Sequence, residues 1–337
     1  TQTKLLLDRF QSTESKLLSQ NDSLNSQLDS YARNITTIAA EVAGLNSAIS
    51  GSPGVANGNL PNDLLDRRDS LIAELATMID VKTSVQSNYS MSVFIGEGQG
   101  LVIGPEPAIL VATAGSQDLG KVELAFLVNN EPQIVSRQLT GGAVGGVLRF
   151  RDEGLDPAIN GLGRIALAFA DTLNQQQLLG VDLEGNLGKK LFTDINSSVM
   201  MRNRVRVDAK NALPVDRVMS VEINDLSSIT TSDYRVAFPG PGERFSVVRM
   251  SDNSLVQQGV LGGKLPQSVR VDGFSINFES GSFQKGDDFL IQPTRTTVSN
   301  LRVVVSRPEE FALASPLIST SNIGNQGGAF ISALTVS

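Results

Sequence analysis

The chain has 337 residues, 40% hydrophobic and 19% charged, with a formal net charge of -7 and no Cys, His or Trp. That length fits two or three domains with cores of ordinary content, and the negative balance argues against nucleic acid and against anionic membrane surfaces. Without Cys or His there is no disulfide framework, no thiolate metal site, no Cys nucleophile and no Ser–His–Asp triad, and the usual general base near neutral pH is missing.

No apolar run reaches the roughly 18 residues needed to span a bilayer. The segment from Thr1 is polar and heptad-like, not a charged-then-apolar leader, and a first residue other than Met suggests a processed or excised chain.

The first element in chain order is a long helix. Leu24, Leu28, Tyr31, Ile35, Ile38, Val42, Leu45 and Ile49 alternate four and three apart, and the same register runs back through Leu17 and Phe10 to Leu7. Glu14 and Asn21 occupy the remaining seam positions. This spacing predicts one narrow stripe with coiled-coil-like packing. The Gly-, Ser- and Asn-rich stretch 51–59 ends the helix, and Pro61 opens a second one. Its apolar face is Leu64, Leu65, Leu71, Ile72, Leu75 and Ile79, with Asp63 and Arg67 outside. A short loop makes the two helices an antiparallel hairpin, so the stripe finds its partner in the same chain.

From Val81 to about Arg137 the period changes to two. Ser92–Ile95 and Leu101–Ile103 flank a glycine-rich turn, and Val122–Val128 and Gln133–Arg137 flank Asn129-Asn130, giving two hairpins. Helical spacing returns at Leu148, Asp152, Leu155, Ile159, Leu162, Ala166, Phe169 and Leu173. Asp156-Pro157 either caps this helix or kinks a longer one.

Beyond about Val199 the chain reads as β-rich. The strand candidates are Arg217–Ile223, Tyr234–Phe238, Arg244–Met250, Val269–Val271, Phe274–Phe278, Phe289–Gln292 and Leu301–Val305, with a loop after Pro316. The expected fold class is α+β and multidomain: a long antiparallel helical bundle with a small β insertion, followed by an antiparallel sandwich or barrel-like domain. The expected domains are a helical bundle at 1–85 with 138–200, a β insertion at 86–137 and a β-rich outer domain at 201–337.

Motifs that invite chemistry fail on context. Gly96, Gly98 and Gly100 precede no helix, and Gly262-Gly263-Lys264 lacks the Ser or Thr of a phosphate loop. Asp182, Glu184 and Asn186 alternate like calcium ligands, but Leu187 and Thr193 replace the glycine and glutamate of an EF-hand, so a polar turn is expected. Asp63, Asp66 and Asp69 read as helix-surface charges, and Arg202, Arg204 and Arg206 as one face of a strand. No catalytic residue, cofactor or metal is expected. The seam residues named above, Leu24 to Ile49 together with Leu155, Ile159, Leu162, Phe169 and Leu173, are the candidate structural site.

Four stretches carry a family resemblance. Asn62-Asp63-Leu64-Leu65-Asp66-Arg67-Arg68-Asp69-Ser70-Leu71-Ile72 resembles a helix of the flagellar hook-associated protein 1 family, the first junction proteins between hook and filament. Gly142 to Asp152, followed by Leu155-Asp156-Pro157-Ala158, is similar to the family's next helical region. Leu179 to Asn186 and Gly286 to Thr294 look like the same family again.

The resemblance implies a non-enzymatic axial protein of the bacterial flagellum, extracellular, exported by the flagellar type III pathway without a cleaved signal peptide. It implies as partners the hook protein, the second junction protein, further copies in a ring and an export chaperone for the full-length chain. The family's terminal assembly regions are not recognisable, so the piece alone is expected to be monomeric. The alternatives are another axial protein, such as the second junction protein or a flagellin-like one, or a surface adhesin or binding module.

Overall fold

A computed structural model describes residues 2–53, 55 and 59–314; the loop expected after Pro316 lies outside them. The chain is α+β, with long helices and antiparallel strands. It divides into two compact units, one of residues 17–157 and one of residues 1–16 with 158–337. The cuts fall inside the first helix and at the start of the fourth.

Helix α1 runs Gln2–Ser50 and α2 Asn62–Met78. Pro61 stands just ahead of α2, where its missing N–H is no loss. Strands β1 (Val81–Val85), β2 (Met91–Ile95), β3 (Gln99–Ile103) and β4 (Glu106–Pro107) form one meander, and β5 (Leu110–Ala114), β6 (Val122–Val128) and β7 (Glu131–Ile134) another. The β6–β7 turn holds Asn129 at φ 49° and Asn130 at φ 68°, the paired left-handed geometry that a two-residue hairpin turn requires. The strand expected to reach Arg137 stops at Ile134, and Ser136–Gln138 is a 3-10 turn.

Helix α3 (Gly142–Arg149), a π-helical stretch (Phe150–Leu155) and α4 (Asp156–Leu178) follow without a break. Asp156-Pro157 therefore sits inside a longer helical path. The wide π turn precedes the proline, whose ring and missing N–H disfavour regular i to i-4 bonding. Gly142 has φ +63°, and a Cβ there would lie 2.6 Å from the backbone at Met78–Ile79, so only glycine permits that approach.

In the second unit a short α5 (Ser198–Asn203) leads to β8 (Val205–Val207) and β9 (Val218–Ile223). Then come β10 (Tyr234–Ala237), β11 (Arg244–Arg249), β12 (Ser254–Val260), β13 (Gln267–Val271), β14 (Phe274–Ser280) and β15 (Asp288–Ile291). They make a five-stranded sheet ordered β12-β11-β10-β15-β8 and a three-stranded sheet ordered β13-β14-β9. Phe238, Phe245, Phe278, Phe283 and Phe289 pack together with ring centroids 5.1–6.3 Å apart.

Two strand expectations change. Leu301–Val305 contributes only a bridge from Val303 to Phe192 and follows the four-residue helix α6, Thr297–Asn300. The polar, glycine-containing β12 is a strand that composition did not announce, because an edge position asks little apolar content of it.

Candidate functional site

The candidate site is a set of packing surfaces, and in unit 17–157 it centres on α1. Leu24, Leu28, Ile35, Ile38, Val42 and Ile49 are buried, and Tyr31 and Leu45 are half-buried. The line of deepest burial is Leu28, Ala32, Ile35, Ala39, Val42, Asn46 and Ile49. It is displaced from the stripe of large residues toward three small or polar ones. The reason lies in what covers it: Leu75, Met78 and Ile79 around the end of α2, Val144 and Leu148 of α3, and Val93, Ile95, Leu101, Val102, Leu110 and Leu124 of the two sheets. A broad layer of that kind approaches closely only over small side chains, so the alanines mark the centre.

Polar side chains lock this packing. Asn46 is fully buried; its Nδ2 donates to the carbonyls of Met91 at 2.8 Å and Gly104 at 2.7 Å. Its Oδ1 accepts from Met91 N at 2.9 Å and from Nη1 of Arg68 at 3.2 Å. Arg68, 3% exposed, also donates to the Tyr89 carbonyl at 2.8 Å, and burial holds its pKa below the ordinary value. Thr36 Oγ1 both accepts from Leu110 N and donates to Leu110 O, clipping α1 to β5. Asn21 and Asn25 donate to the Gly120 carbonyl, and Asn25 accepts from Val122 N. Buried Arg151 in the π turn donates to the Val122 carbonyl at 2.6 Å and pairs with Glu123 and Asp152. Leu155 is buried close by in sequence.

In the other unit the first turns of α1 pack on α4. Leu7 joins Ala166, Leu167 and Ala170 in one core, and the Phe10 and Phe169 rings lie 6.1 Å apart. Ile159 is buried, and Leu162, Phe169 and Leu173 are half-buried. Gly163 permits a close approach: a Cβ there would stand 2.0 Å from the Thr294 carbonyl. Asn160 Nδ2 donates to Thr231 O and to Asp233, which is also paired with Arg295. Glu14 is buried at its seam position, and burial raises its pKa against the opposing effects of the Ser299 N–H and Arg302.

The three alternate arginines do not share a strand face. Arg202 is in α5, Arg206 is in β8, and Arg204 is buried, donating to the carbonyls of Ile195 at 2.6 Å and Val221 at 2.8 Å. Burial pulls Arg204 down to about 10. Tyr234 is pushed up to about 12 by burial, and its hydroxyl donates to Asp272, so this phenol stays protonated as a strut.

Asp182 closes a polar turn, accepting from Glu184 N and Asn186 N. Gly96 and Gly98 lie in the β2–β3 turn, Gly100 lies within β3, and Gly262–Lys264 connect β12 to β13. Among the described residues no group of three acids could hold a metal ion, and no helix is long and apolar enough to cross a membrane. Asn46, Arg68, Arg151, Arg204 and Arg217 are the residues that sequence reasoning missed. An arginine between exposed Arg67 and Asp69 carries no periodic sign of burial, whereas Asn46 beside the seam was a legible hint of a register-setting polar residue.

The model of the flagellar hook-associated protein FlgK helical domain matches residues 1–192, and that of the flagellar hook-associated protein 1 D2-like domain matches residues 207–293. Flagellar hook-associated protein 1 of Salmonella typhimurium is 32% identical over 331 residues, which cover 96% of this chain and 57% of that protein. The Escherichia coli protein of the same name is 28% identical over 313 residues, 92% of this chain and 54% of its own length. The chain thus spans somewhat more than half the length of the curated relatives it matches. The solved flagellar hook junction protein FlgK of Burkholderia pseudomallei superposes with a TM-score of 0.80 at 28% identity, covering 93% of this chain and 55% of that one. Both the helical and the β-rich segments are accounted for in order, and the chain belongs to the flagellar hook-associated protein FlgK family.

Proposed function

We propose that the chain is the structural body of a junction subunit that joins hook to filament in the bacterial flagellum, and that it has no enzymatic role. The observation that carries this reading is the family match across both the helical and the D2-like segments, supported by the fold shared with a solved hook junction protein. The architecture suits the task. Helices α1 and α4 bury wide faces through many small contacts, which share a mechanical load, and buried polar locks resist slippage in register. Without His, no imidazole changes its charge at these contacts between about pH 5 and 8.

On this reading the full-length protein is extracellular, exported without a cleaved signal peptide and helped by an export chaperone. It meets the hook protein on one side and the second junction protein on the other, and its copies form a ring. Residues 1–85 with 138–200 serve as the helical bundle, 86–137 as its insertion and 201–337 as the outer β domain; the family-model boundaries at 192 and 207 support the last division. The chain alone is monomeric and binds neither nucleic acid nor membrane.

Deletion of the gene, followed by electron microscopy and assay of flagellin in the medium, tests the reading. Hooks without filaments and flagellin shed to the medium are expected. Normal filaments on the deletant would overturn it.

A further inference from the structure

We draw no further inference here: the strongest candidate, the surface patch of exposed leucines at the end of α4 (Leu178, Leu179, Leu183 and Leu187, with Leu313 on the segment bridged to Val181 through Ala314), carries nothing because nothing among the described residues shows what covers it.

Discussion

At the scale of single residues, stability depends on a few buried polar groups, among them Asn46 beside the α1 seam. Asn46 satisfies four partners at once, so replacing it by alanine leaves a backbone donor, two carbonyls and the Arg68 guanidinium short of a bond inside the core. Asn46→Ala is expected to cost about 3 kcal/mol, given roughly 1–3 kcal/mol for each group left unsatisfied and partial relaxation. Urea unfolding of the isolated chain measures it, and a loss below about 1 kcal/mol would show that water replaces the side chain.

Glu14 makes a pH prediction of definite sign. Burial raises its folded-state pKa above the ordinary 4.5, so its favourable contribution is complete below that value and is lost as pH rises through the folded pKa. Glu14→Gln abolishes this component. The difference in melting temperature, variant minus wild type, should therefore increase from about pH 4 toward neutrality. A flat difference would mean that the Ser299 N–H and Arg302 compensate fully.

Elements pose a different question, namely which face of a helix is central. Large residues on α1 draw a narrow heptad stripe, whereas the structure centres on Ala32, Ala39 and Asn46 because a broad layer covers the helix. The two pictures predict opposite results at one position. In a two-helix seam Ala39 flanks the contact and Ala39→Leu would be tolerated. Here the added methylenes enter a closed core and should destabilise by about 1–3 kcal/mol, as read from denaturant midpoints. Ile35→Ala, fully buried in the same line, should cost about 3 kcal/mol.

The molecule as a whole divides where no loop or composition shift marks a boundary. One cut falls inside α1 and the other at the start of α4. Helices that continue through a division still leave each unit its own apolar cluster, and local opening follows clusters more than connectivity. Phe278→Ala, at the centre of the aromatic group, should therefore speed amide exchange in β9–β15 by ten-fold or more while leaving β1–β7 within about two-fold. Hydrogen-exchange mass spectrometry reports both regions in one experiment, and equal acceleration would make the two units one cooperative body.

Chain-local physics already determined much of this protein. Periodicity from Leu7 to Ile49 dictates α1, Pro61 the start of α2, Asn129-Asn130 a hairpin turn, and the missing Cys and His remove most chemistry. Those features depend on neighbours a few residues away, and so they are written in the order of the residues. Only the tertiary structure decided that alanines lie at the centre of α1's buried face, that Arg68, Arg204 and Arg217 are interior, that β12 is a strand and that Leu301–Val305 is not. Each of those outcomes turns on what packs against the residue from tens or hundreds of positions away, and burial by a distant segment leaves no periodic trace at the position it buries.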